Sequence, residues 1–188
     1  MIKLAILASG NGTNAERISE YFRGNDKISV ECIIYNRKDA FVAKRAERLG
    51  VPAQYFGRAD FYENGNVLHY LQEHGIDWVI LAGFLWLVPE DILRAYPNRI
   101  INIHPALLPK YGGKGMYGHH VHEAVIANGE KESGITIHIV DQYYDKGTVL
   151  FQAKCKLTEE DTPDTLADKI HVLEQEYFPV VIEKSVLG

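Results

Sequence analysis

Short, almost continuously apolar runs alternate with amphipathic stretches through the first half of the chain. Ile2 to Ala8, Ile28 to Tyr35, Trp78 to Ala82 and Ile100 to Ile103 are the apolar runs, rich in Ile, Val and Leu and bounded by turn residues. Runs of this length and composition are read as strands buried on both faces. Between them, helical patterns begin near Ala15, span Ala40 to Leu49 before Gly50 and Pro52, cover Asn66 to His74 before Gly75, and open on proline from Pro89 to Tyr96. Ala53-Gln54-Tyr55 is a weaker, shorter strand. Strand–helix alternation of this kind predicts right-handed βαβ crossovers and a mostly parallel sheet covered on both sides.

The pattern changes after His104. Residues 105–118 hold two prolines and four glycines, too much punctuation for a regular element. A helix is predicted from His120 to Asn128. Two strands follow, Gly134 to Val140 and Thr148 to Lys156, whose spacing suggests an antiparallel pair. The last helix runs from Thr162 to Val186, with Thr162 as its cap and Pro163 in the first turn. There is no repeat and no linker. The expectation is therefore an α/β fold with residues 1–188 as a single domain: a three-layer, Rossmann-like, doubly wound sheet, mostly parallel, with an antiparallel strand pair toward the C-terminal half.

Charge and cysteine content narrow the function. A net charge of −5 disfavours a general nucleic-acid or anionic-membrane binder. Two cysteines, each alone in an apolar run, point to no disulfide framework and no zinc site, and to a reducing cytoplasmic setting. The first residues are too short an apolar run to span a membrane and lack a signal-peptide layout. His119, His120 and His122 invite a metal reading, but they do not share one helix face and only Glu123 stands nearby. No metal is expected from them, and their roles are left unassigned.

Two segments carry candidate chemistry. Ser9-Gly10-Asn11-Gly12-Thr13-Asn14 lies between the first strand and its helix, where glycines let an anion approach and helix amides face it. The alternative is a tight βα turn. The full dinucleotide fingerprint is absent, and Tyr35-Asn36-Arg37 stands where a ribose-binding acid would be. In Asn102-Ile103-His104, residues two apart in a strand project from one face. A carboxamide and an imidazole aimed together can stabilise one developing oxyanion, as acyl transfer requires. The alternative is a satisfied polar pair. Asp145, in the turn between the last two strands, is a candidate carboxylate that would favour the imidazolium form of a histidine beside it; the alternative, which spacing alone favours, is a solvated turn aspartate.

Taken in order, Ser9 to Asn14, Leu81-Ala82-Gly83-Phe84, the stretch Asn102-Ile103-His104-Pro105-Ala106-Leu107-Leu108-Pro109, Asp145-Lys146-Gly147, and Glu174 with Phe178-Pro179 resemble the folate-dependent formyltransferases. Within them the chain is similar to the branch that formylates phosphoribosylglycinamide, over essentially its whole length. The resemblance implies a Rossmann-like formyltransferase fold. It also implies transfer of the formyl group of 10-formyltetrahydrofolate, a co-substrate, to the glycine amine of 5-phosphoribosylglycinamide in purine biosynthesis. It assigns catalysis to Asn102, His104 and Asp145, the ribonucleotide to Gly12, Thr13, Asn14, His171 and Glu174, and the folate to Leu85, Trp86, Leu87 and Val88, with Asn102. It implies two small-molecule substrates, no nucleic acid, no membrane, and a monomer or homodimer. In three places the chain departs from the family: residues 111–118 are longer than the usual loop, Trp86 stands where an arginine is familiar, and residues 57–66 align poorly. A tRNA-directed relative would need a basic extension, and a formyl-folate hydrolase a further regulatory domain. A non-enzymatic nucleotide-binding module would leave Asn102 and His104 without a purpose.

Overall fold

A computed structural model describes residues 1–142 and 147–188. Its elements are β1 (Ile2–Ala8), α1 (Thr13–Tyr21), β2 (Ile28–Tyr35), α2 (Val42–Leu49), β3 (Ala53–Tyr55), α3 (Arg58–Tyr62), α4 (Asn66–Glu73), β4 (Trp78–Leu81), α5 (Glu90–Ala95), β5 (Ile100–His104), α6 (His119–Ala127), β6 (Glu132–Ile139), β7 (Val149–Lys156) and α7 (Pro163–Leu187). The strands form one seven-stranded sheet in the order β3-β2-β1-β4-β5-β6-β7, with helices on both faces. The pairs β1–β2, β1–β4 and β2–β3 are parallel, and β6–β7 is antiparallel. This is the doubly wound α/β sheet that the apolar runs predict. The chain divides into two compact units, Met1–Ile101 and Asn102–Gly188.

In the first unit β1 is the central strand, and Leu4 to Ala8 are essentially inaccessible. Pairing steps from Leu4 with Val30 to Ala5 with Cys32, so Glu31 is an extra residue in β2. Beyond that bulge Cys32, Ile33 and Ile34 are all fully buried. From β1 the chain winds outward through β2 to β3, and β4 then lies on the other side of β1. The order therefore reverses at β1 and β4, and their carboxyl ends border the crevice where such sheets bind ligands. Helix α1 begins at Thr13, earlier than the pattern predicts, because Gly12 takes a left-handed conformation and serves as its cap. Helix α3 has no counterpart in the predicted elements. Asp60 starts it by accepting from the Gly57 amide (2.8 Å) and the Asn66 side chain (2.8 Å).

In the second unit β6 is buried from Ser133 to His138. Ile135 and Ile137 occupy one face, and Thr136 and His138 the other. From Phe151 onward the outer strand β7 alternates: Phe151, Ala153 and Cys155 are half-buried, whereas Gln152, Lys154 and Lys156 are exposed. Lysines along an edge strand discourage pairing with another chain. Gly134 lets the two strands meet, since a Cβ there would stand 1.9 Å from the Ala153 carbonyl oxygen. Helix α7 begins where predicted. The Thr162 hydroxyl accepts from the Thr165 amide (3.2 Å), and the Thr165 hydroxyl accepts from the Thr162 amide (2.9 Å). Asp161 braces this end by accepting from Lys169 (2.8 Å), the Thr158 amide (2.7 Å) and the Thr165 hydroxyl (2.9 Å). Those bonds, led by Lys169, hold its carboxyl far below the usual carboxylate range. Among the described residues no helix is long and apolar enough to cross a membrane.

Candidate active site

The glycine-rich turn lies at the carboxyl end of β1, and Gly12 is fixed there twice over. Its φ is 79°, and a Cβ on it would lie 2.4 Å from Val42 Cγ2. Val42 in turn donates its amide to the Gly10 carbonyl (3.1 Å). Arg45 grips the turn from α2, donating to the Asn11 carbonyl (2.7 Å) and, through Nη2, to the Asn11 side-chain oxygen (2.6 Å). Arg45 and Arg48 both pair with Glu16 in the first turn of α1. Two guanidiniums against one carboxylate leave a positive surplus beside the helix end. Thr13 and Asn14 open α1, at the end where its dipole favours an anion. Of the predicted phosphate residues, Gly12, Thr13 and Asn14 therefore stand together.

Ser9, almost fully buried, joins this turn to the segment after β4. Its amide donates to the Gly83 carbonyl (3.1 Å) and its hydroxyl accepts from the Leu85 amide (2.9 Å). Of the predicted folate segment, Leu85 and Leu87 are exposed, Trp86 is partly exposed and Val88 is buried. Tyr62 of α3 donates its hydroxyl to the Leu87 carbonyl (2.7 Å). The Trp86 ring packs edge-on against Phe61 at 5.5 Å between centroids, and the Arg58 guanidinium lies 5.6 Å from the Trp86 ring and 5.0 Å from that of Tyr62. Arg58 of α3 thus sets a guanidinium against Trp86, the position at which the resemblance leads one to expect an arginine.

In the second unit Asn102 and His104 share one face of β5, and each has a specific partner. Asn102 Nδ2 lies 3.2 Å from His138 Nε2 on β6. His138 Nδ1 is 3.2 Å from the Ile139 carbonyl, which can only accept. His138 therefore carries its proton on Nδ1, and its Nε2 receives one N–H of Asn102. The carboxamide is held in one orientation with a second N–H to offer. His104 is only 4% exposed, and its Nε2 lies 2.6 Å from the Tyr111 carbonyl oxygen. The stretch after His104 hangs on Thr136, whose hydroxyl donates to the Ala106 carbonyl (2.7 Å) and accepts from the Leu108 amide (3.0 Å). Gln152 on β7 donates to both Thr136 Oγ1 (2.8 Å) and the Leu108 carbonyl (3.0 Å). Thr136 pairs with Gln152 in the β6–β7 register, which makes this possible. His138, Thr136, Gln152 and Tyr111 are supporting residues that sequence reasoning missed. The alternation Ile135-Thr136-Ile137-His138 was the available signal.

His171 and Glu174 are one turn apart on α7, His171 exposed and Glu174 partly buried. Asp145 lies outside the described residues. On α6, His119 and His120 are exposed while His122 is buried. Burial, then the nearby charges of His119 and His104, depress the proton affinity of His122. Among the described residues no group of three or more His, Cys, Asp or Glu side chains is arranged to hold a metal ion.

A Rossmann-like sheet carries an anion-ready turn in its first unit and, in its second, an oriented carboxamide–imidazole pair of the kind that acyl transferases use. Comparison with known proteins specifies the class: residues 2–182 match the formyl transferase family, and the chain belongs to that family. It is 39% identical over 194 residues to the chloroplastic phosphoribosylglycinamide formyltransferase of Arabidopsis thaliana, covering 98% of this chain and 66% of that protein. The chain thus spans just under two thirds of the plant relative. It is 35% identical to phosphoribosylglycinamide formyltransferase of Bacillus subtilis, covering all of this chain and 96% of that one. The crystal structure of glycinamide ribonucleotide transformylase 1 from Geobacillus kaustophilus superposes with a TM-score of 0.90 at 34% identity, over 100% of both chains.

Proposed function

We infer that this protein transfers the formyl group of 10-formyltetrahydrofolate to the glycine amine of 5-phosphoribosylglycinamide in purine biosynthesis, yielding formylglycinamide ribonucleotide and tetrahydrofolate. The observation that carries this reading is the pair Asn102 and His104, on one face of β5, each oriented by a dedicated acceptor. Family membership supports formyl transfer, and the relatives' names support phosphoribosylglycinamide as the acceptor; the reduced folate as donor is our reading from the resemblance of Asn102 to Pro109.

In this reading Gly12, Thr13 and Asn14 bind the substrate phosphate, and His171 and Glu174 contact its sugar. Leu85, Trp86, Leu87 and Val88 line the pterin pocket. The substrate amine attacks the formyl carbon; a C–N bond forms and the carbonyl π electrons move to oxygen. The oxyanion accepts from the second N–H of Asn102 and from protonated His104, whose charge Asp145 sustains. Collapse breaks the bond to the folate nitrogen, which takes up the proton lost by the amine. We read residues 1–188 as one formyltransferase domain that works in the cytoplasm on these two small molecules, as a monomer or homodimer and without a metal, nucleic acid or membrane. The net charge of −5 and the two isolated cysteines support the setting.

The test is spectrophotometric, with glycinamide ribonucleotide and a 10-formyl folate as substrates. Deformylation should require both, and His104→Ala or Asp145→Asn should lower kcat by a factor on the order of 100 or more with little change in KM. Folate loss without the ribonucleotide would make the protein a hydrolase instead. Near-normal rates in both variants would remove the assigned chemistry.

A further inference from the structure

His104 is held by a main-chain carbonyl, and side chains hold that carbonyl in turn. A carbonyl cannot donate, so the 2.6 Å contact with Tyr111 requires the His104 proton on Nε2, and further protonation then falls on Nδ1. Tyr111 has a φ of 56°, a backbone conformation that aromatic residues rarely adopt. Gly112 and Gly113 follow immediately and could host such a turn without strain. The strain sits instead at the residue whose carbonyl meets His104. Its phenol is tied down at the far end: the hydroxyl donates to Glu130 (2.7 Å) and accepts from Asn128 Nδ2 (2.9 Å), while Lys110 also reaches Glu130 (3.2 Å). The Tyr111 hydroxyl and then Lys110 keep the Glu130 carboxyl below its ordinary range, so the phenol retains a charged acceptor.

We propose that Tyr111 is a positioning residue for His104, a clamp whose carbonyl fixes the imidazole and whose phenol, anchored by Glu130 and Asn128, fixes the carbonyl. Its role in catalysis rests on the reading of His104 as the catalytic acid; its geometry does not. Glu130 and Asn128, just beyond α6, thereby act on the reaction without meeting either substrate.

The test follows the imidazole directly. Protein with ¹⁵N-labelled histidine gives long-range ¹H–¹⁵N correlations that distinguish the two tautomers, with the His104 signals assigned by their loss in His104→Ala. Wild type should show the proton on Nε2. In Tyr111→Phe and in Glu130→Ala the His104 pattern should broaden or mix, and kcat should fall about tenfold with both KM values within about twofold of wild type. The double variant should be no slower than the slower single one, because both changes remove the same bond. A wild-type proton on Nδ1, or variants that keep the wild-type His104 pattern, would overturn the clamp. So would a disturbed pattern with unchanged turnover, since the bond would then serve packing alone. If wild type proves inactive in formyl transfer, the spectra still decide the clamp, and the failure belongs to the activity reading. If Glu130→Ala does not fold, Tyr111→Phe, which keeps the ring, carries the test.

Discussion

Gly12 must satisfy two demands that no other residue meets together, a left-handed backbone and the absence of a side chain beside Val42. Gly12→Ala should therefore cost about 2 kcal/mol or more in urea unfolding and raise KM for the ribonucleotide. Adding Val42→Ala would relieve the overlap but not the backbone strain, so stability should recover only in part. A neutral Gly12→Ala would mean that the turn rests in another conformation. Thr136 is the corresponding residue in the second unit. Thr136→Val keeps its shape but strips the hydroxyl from the Leu108 amide and the Ala106 carbonyl. The expected loss is about 1–3 kcal/mol, with a fall in kcat as the segment after His104 loosens. Calorimetry and steady-state rates on one preparation would separate the two effects.

Elements were legible in the sequence wherever their cause was local. Strand β2 follows from its run of β-branched residues, and α7 from Thr162 and Pro163, because caps and apolar runs act within a few residues. Helix α3 was not legible: its five residues are too few to show a helical period, and its starting bond depends on Asp60 finding Gly57 and Asn66. Asn102 and His104 could be placed on one face from their spacing alone. Their partners were harder to find: the alternation from Ile135 to His138 marks a polar face on β6, but strand register decides that His138 meets Asn102, and a loop decides that Tyr111 meets His104. The start of α7 also has a pH signature. Asp161 ionises more readily folded than unfolded, so its stabilising effect is complete above about pH 4 and fades as pH falls toward its folded value. Asp161→Asn should lower the melting temperature at pH 7, and the gap to wild type should close in increasingly acid buffer. A gap that stays constant with pH would assign the effect to packing.

At the scale of the whole molecule, the family match runs across nearly the entire chain, from residue 2 to residue 182. On the proposed function two substrates are held at once, and Ser9 joins the two segments assigned to them. One amide and one hydroxyl join the anion-ready turn to the segment that begins at Gly83. Ordering either segment with a ligand reduces what remains to be ordered in the other, so the two affinities become thermodynamically linked, and by the same factor in both directions. Titration calorimetry should find each substrate, or an unreactive analogue of it, binding more tightly when the other is present. In Ser9→Ala, with the bond to Leu85 gone, that factor should shrink toward one while each ligand alone binds nearly as before. One serine that touches neither reacting atom would then set how far the enzyme waits for both substrates before it commits to either.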